Sequence, residues 1–206
     1  MTATATASRF PKFGCKDDIR CRLKKLDISF NNLSTMEPGM MARAAFFLEE
    51  LSLFDTQLTK QQACTLFTVL TMGGSQVKKL YIQYNNLSTV RPDLLARAVN
   101  MLEEVWMSGT ELTVKQLEAI LIGIGKGQSS LKELDIGENN LTTLDPSFLA
   151  GAVKRLRNLM IEETQLTVEQ VEAICVAICE GDCEVMNLEI EWNILSSVNP
   201  DILARV

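Results

Sequence analysis

The 206-residue sequence contains no histidine. A serine or cysteine nucleophile therefore lacks the imidazole that ordinarily activates it, and the nitrogen ligands of common zinc sites are missing too. The chain is expected not to be an enzyme, and no metal or cofactor is implied. Basic residues are also short, 20 against 26 acidic ones for a net charge of −6, which disfavours nucleic acid as a partner. No apolar run approaches the length that spans a bilayer. The opening MTATATASRFPKFG has neither the charged start nor the apolar core of a secretory signal. A cytoplasmic protein without a membrane partner is expected. Aromatic residues make up only 6% of the chain, so their placement carries information.

What is present is repetition. The stretch from Leu23 to Thr59, LKKLDISFNNLSTMEPGMMARAAFFLEELSLFDTQLT, recurs from Val77, again from Leu131, and opens once more at Val185, at a constant spacing of 54. Within this period a short half-unit of 25 alternates with a long one of 29, the starts falling at Leu23, Leu48, Val77, Leu102, Leu131, Leu156 and Val185, the last incomplete. Each opens as L-x-x-L-x-L, with Val or Ile at some of these places, and then carries Asn31, Thr56, Asn85, Thr110, Asn139, Thr164 or Asn193. Period-two apolar residues make a short strand with one buried face. Such a strand hides that face only by stacking with its neighbours, and a fixed period of this size marks a solenoid. The Asn or Thr is read as a structural ladder that satisfies backbone groups where the chain turns inward.

The return segments read as helices. In the long half-units Thr59 with Gln62, Thr113 with Gln116, and Thr167 with Gln170 form capping boxes. Leu117, Ile120, Leu121, Ile124 and Val171, Ile174, Cys175, Ile178 then recur at helical spacing, and Gly73, Gly125 and Gly181 are expected to close these helices. The short half-units open a shorter helix with Pro38, Pro92, Pro146 or Pro200.

Strand–turn–helix units of two alternating types resemble the ribonuclease-inhibitor class of leucine-rich repeats, and the array is similar to the sensor region of NOD-like receptors. The resemblance covers Leu23 to Val206. It implies an α/β horseshoe solenoid, with a parallel sheet on the concave face and helices on the convex face, in an intracellular protein that binds other proteins. Residues 1–22 are read as a leader plus the remnant of a preceding repeat, and 23–206 as the repeat domain. Cys21 stands two places before Leu23 as Cys183 does before Val185, and the sequence stops in mid-unit at Val206. A fragment of a longer array is the expectation.

Several motifs reduce to structure. Gly123-Ile-Gly-Lys-Gly127 lacks the Ser or Thr and the preceding strand of a phosphate loop, and reads as a helix end. Cys175, Cys179 and Cys183 share a helical spacing, but Cys175 occupies the core place of Phe67 and Leu121, so idle or buried thiols are expected. Asn32, Asn86 and Asn140 begin sequons that would be used only in a secreted chain. Lys24, Glu49, Lys78, Glu103, Lys132 and Lys25, Glu50, Lys79, Glu104 alternate in sign from strand to strand, as neighbours across a sheet should.

The remaining outward strand and turn positions hold every Tyr and Trp of the chain, eight carboxylates, and no Lys or Arg. Phe30, Phe54, Tyr81, Tyr84 and Trp106 form an aromatic group, with Gly109 leaving room beside it. Asp135, Glu138, Glu162, Glu163, Glu189 and Glu191 form an acidic patch, with Met160 within it and Trp192 at its end. Aromatic side chains dominate binding energy at protein interfaces. These residues are the candidate site for a protein or peptide of basic character, and the chain is expected to be the ligand-sensing part of an innate-immune NOD-like receptor. The alternatives are a constitutive intracellular regulator, such as an inhibitor or a GTPase-activating protein using Arg91, and an extracellular receptor fragment. The oligomeric state is left open.

Overall fold

A computed structural model describes residues 22–193. The leader, Cys15, Cys21, Pro200 and the ending at Val206 lie outside the described residues. Among those described, seven strands form one parallel sheet in chain order: β1 (Lys25–Asp27), β2 (Glu50–Ser52), β3 (Lys79–Tyr81), β4 (Glu104–Trp106), β5 (Glu133–Asp135), β6 (Asn158–Met160) and β7 (Asn187–Glu189). Between them run α1 (Pro38–Ala44), α2 (Lys60–Leu70), α3 (Pro92–Val99), α4 (Val114–Gly125), α5 (Pro146–Val153) and α6 (Val168–Cys179). The molecule is the α/β leucine-rich repeat solenoid that its period announces. Strands stack at about 4.8 Å whereas packed helices need about 8–10 Å, so the sheet forms the shorter, concave arc.

Each strand is three residues long with one inward side chain, and these align as Leu26, Leu51, Leu80, Val105, Leu134, Leu159 and Leu188. The central five of this row are wholly buried. The helices cover the other side of the same core through Leu66, Phe67, Leu95, Leu117, Ile120 and Ile174. All three capping boxes form, and Pro38, Pro92 and Pro146 open the short helices. The short helices run only seven or eight residues, about two turns.

The helix ends correct part of the reading. Gly181 follows its cap at φ +97° as expected. Gly125 is the last helical residue of α4, and Gly127, at φ +67°, takes the left-handed position two residues later. Helix α2 stops at Leu70 with Thr71 as its cap, three residues short of Gly73. A glycine ends a helix only where the backbone reverses hand, and spacing does not locate that point.

Two polar stitches alternate along the array. From each long half-unit a glutamine reaches back into the preceding short one: Gln62 Nε2 donates to the Leu33 and Met36 carbonyls at 2.6 and 2.8 Å, Gln116 to Leu87 and Val90, and Gln170 to Leu141 and Leu144. The same three side chains complete the capping boxes with Oε1. From each later short half-unit an asparagine reaches back into the preceding long one. Asn85 Oδ1 accepts from the Thr56 and Leu58 amides, and its Nδ2 donates to the Leu53, Ile82 and Gln83 carbonyls. Asn139 and Asn193 repeat this pattern. The ladder read from sequence is therefore a link between coils as well as a local turn device.

The charge alternation is realised in the first four strands, where Lys24–Glu49, Lys25–Glu50, Lys78–Glu103 and Lys79–Glu104 pair at 2.6–2.9 Å. It ends at β5, where Glu104 lies opposite Glu133. Cys175 lies in the core, and burial pushes its thiol pKa up; Cys183 Sγ donates to the Val153 carbonyl. Among the described residues no helix is long and apolar enough to cross a membrane.

Candidate functional site

Beside the charged row that starts at Lys25 and Glu50, three further rows of outward positions cross the sheet. The first is Asp27, Ser52, Tyr81, Trp106, Asp135, Met160 and Glu189, paired strand to strand in strict register. The second, just beyond the strand ends, is Ser29, Phe54, Gln83, Ser108, Gly137, Glu162 and Glu191. The third is Phe30, Asp55, Tyr84, Gly109, Glu138, Glu163 and Trp192. Every member of the third row has φ between +47° and +61°. The amide of each of its first six members donates to the carbonyl of the second-row residue on the next coil, so the left-handed turn keeps the ladder running after the strands end. A non-glycine residue pays for that backbone, and six of the seven are not glycine.

The structure brings the aromatic residues together in two groups. Phe30, Phe54 and Tyr84 stack in succession, with ring centroids 4.8 and 5.1 Å apart. Tyr81 and Trp106 meet edge to face at 4.7 Å. Phe54, Tyr81 and Trp106 are half-buried, whereas Phe30 is 74% exposed and Tyr84 43%. Mutual stacking thus accounts for part of the group, and its outer members remain open to a partner.

Gly109 does more than leave room. The Tyr84 ring lies across it, so that a Cβ there would stand 2.8 Å from two ring carbons. In this pose Tyr84 Oη passes over one whole coil and donates to Glu138 Oε1. That hydrogen bond, with some burial, pushes the Tyr84 pKa up to about 12. The aromatic and acidic halves are therefore joined, a link absent from the sequence reading; the pairing of a large residue at 84 with glycine at 109 in the same row is the signal that could have found it.

The acidic half is not uniformly exposed. Asp135 is only 8% exposed, its Oδ1 accepts from the Gly137 amide, and burial raises its pKa. Burial also raises the pKa of Glu162, with Asp135 and the carboxylates of β7 and its turn adding to the effect. Glu138, Glu163 and Glu191 are exposed, Met160 and Glu189 are half-buried, and Trp192 stands 80% exposed at the far end. Between them lies a hollow of about 230 Å³ lined by Ser108, Gly137, Glu138, Glu162, Glu163, Glu191 and Trp192. Gln83, outward by alternation, is 7% exposed beneath its neighbours. Among the described residues, four buried side-chain atoms are enclosed without a hydrogen-bond partner, and three of them, Gln83 Oε1, Trp106 Nε1 and Glu162 Oε2, lie on this face, the fourth being Asn100 Oδ1 on the helix side.

Away from the sheet, Arg91 is the exposed residue preceding α3 and pairs with Asp93 at 3.6 Å. Asn32, Asn86 and Asn140 are exposed, each accepting the amide two residues on. The family model described as Leucine Rich Repeat matches residues 22–43 and 130–152. No curated protein matches the chain.

Proposed function

We propose that the concave sheet face of this leucine-rich repeat solenoid binds a protein or peptide of basic character. Leucine-rich repeat domains generally bind proteins or peptides, and one observation carries the reading to this face. Its three rows from the strand ends outward gather aromatic side chains in mutual contact beside the six carboxylates of the acidic patch, with no Lys or Arg in those rows. Aromatic anchors hold a partner by excluding water, while an acidic field draws a basic one in.

Within that reading the chain serves as the ligand-sensing part of a cytoplasmic NOD-like innate-immune receptor; its alternation of short and long strand–helix units supports this. A GTPase-activating regulator is the weaker reading, since it rests on Arg91 alone, with Glu37, Asp145 and Asn199 at the equivalent places of the other copies. The test is capture of a partner from lysate by crosslinking to the chain, followed by affinity measurement with purified components. Tyr84→Ala and Phe30→Ala are expected to weaken binding by about 2 kcal/mol each, and Ile122→Ser on the helix side to leave it unchanged. The reverse pattern sinks the reading and moves the site to the helices. A nucleotide-binding domain encoded upstream supports the receptor assignment over the regulator.

A further inference from the structure

We propose that the hollow at the acidic end of the sheet is a subsite for a single arginine side chain of the bound partner, with the guanidinium stacked on the Trp192 indole and donating to Glu162. The proposal rests on the binding-surface reading above and adds to it the residue type that the surface selects.

Size comes first. At about 230 Å³ the hollow falls below the range of small-molecule pockets, about 300–1,000 Å³, and suits one side chain. Its chemistry calls for a donor. Glu162 Oε2 is enclosed without a hydrogen-bond partner, and a Cβ on Gly137 would stand 2.9 Å from it and 3.3 Å from Asp135 Oδ1. Glu162 thus leans over a residue that has no side chain, and Asp135, more than nine-tenths buried and accepting from the Gly137 amide, stands behind the lining. No Lys or Arg lines the hollow to compensate them. Buried acids without a counter-charge are costly, and a cation that enters relieves that cost.

A metal ion does not meet the geometry, since among the described residues no three acidic or thiol side chains are placed to hold one. An organic cation does, and Trp192 decides which. Its indole is 80% exposed on a left-handed turn at φ +57° and forms one wall of the hollow. A guanidinium is flat, stacks on an indole, and presents donors in its plane to carboxylates. An ammonium offers the charge without the flat face.

The chain has two tryptophans, so its nitrogen-15 spectrum carries two indole signals, which Trp192→Phe assigns. The full chain is titrated with Nα-acetylarginine amide, Nα-acetyllysine amide and the uncharged Nα-acetylcitrulline amide. Arginine amide is expected to move the Trp192 signal saturably and at least about threefold more tightly than lysine amide, with citrulline silent. Glu162→Gln is expected to weaken arginine about tenfold. Trp192→Asn, which suits the left-handed backbone, is expected to abolish the preference for arginine over lysine, read at the amides of Gly137 and Glu163. Equal response to both cations, or an unchanged titration in Glu162→Gln, refutes the subsite in favour of a diffuse acidic field. A Trp192 signal that never moves refutes it outright. If the subsite fails while Tyr84→Ala still weakens a captured partner, the binding surface stands. If arginine amide binds while sheet-face variants leave the partner untouched, the surface reading fails instead.

Discussion

Gly109→Ala should destabilise the fold by more than the backbone alone explains. The left-handed conformation at Gly109, φ +61°, costs an L-residue about 1–2 kcal/mol. Gly127 has nearly the same conformation at φ +67°, but open space where a Cβ would go, so Gly127→Ala measures that backbone cost by itself. At Gly109 the new methyl also strikes the Tyr84 ring, which must lift and release Glu138. A hydrogen bond to a charged group is worth about 1.5–3 kcal/mol; with Tyr84 43% exposed water replaces much of it, leaving about 1 kcal/mol. Urea unfolding should therefore place Gly109→Ala about 1 kcal/mol below Gly127→Ala. Alkaline titration gives a second readout, since the chain has only two tyrosines. Tyr84, at about 12 in the wild type, should return toward the ordinary value near 10. Because its folded-state pKa is raised, the phenol's contribution to stability is complete below about pH 10 and is lost as pH climbs through 12, a dependence that should flatten in Gly109→Ala. Equal destabilisation by the two substitutions, with an unchanged tyrosine titration, would refute the link between the two halves of the face.

Other expectations follow from the stitches and the buried acids. Asn85→Ala orphans the Thr56 and Leu58 amides, while the Leu53 carbonyl keeps the Thr56 hydroxyl as a donor, and at about 1–3 kcal/mol for each buried orphan should cost at least about 2 kcal/mol in urea unfolding. Gln116→Glu removes the two donors to Leu87 and Val90 and should be worse than Thr113→Ala, a lost cap worth about 1 kcal/mol; equal losses would mean the stitch contributes nothing. Glu162 has a raised folded-state pKa, so its favourable contribution exists below the unfolded pKa near 4.5 and is lost as pH rises through the folded value. Glu162→Gln should accordingly gain on the wild type as pH rises above that point, and parallel stability–pH curves would count against it.

The fold was legible because each of its rules repeats. Leu80 is apolar, Pro92 opens a helix and Thr113 stands three before Gln116 for reasons that recur in every period, and a local requirement seen in several copies is read with little ambiguity. The glutamine stitch was legible in principle: a capping box accepts Glu or Gln, and Gln in all three copies meant that amide donors were needed. The face was harder to read. Residues such as Phe30, Tyr84 and Trp192 do not signal a left-handed backbone, since glycine and asparagine are its usual occupants. Alternation assigns Gln83 and Asp135 outward, yet both are covered by neighbours on adjoining coils, and that cover depends on how side chains lean across the sheet. Tyr84 reaches Glu138, which holds the equivalent place in the next period, by way of a glycine between them.

The two stitches impose a grammar on how this array can lengthen. Asparagine crosses each boundary from a long half-unit to a short one, glutamine crosses each boundary from short to long, and both reach backwards. A crossing-over event that copies or deletes one whole period leaves every boundary with the stitch it needs. One that excises a single half-unit sets like against like: without α2 and its strand, for example, the Leu33 and Met36 carbonyls would meet a coil that carries no glutamine for them. The gene can therefore change the protein's length only in whole pairs, each adding or removing about 10 Å of sheet, so the reach of the concave face is quantised by the polar residues behind it.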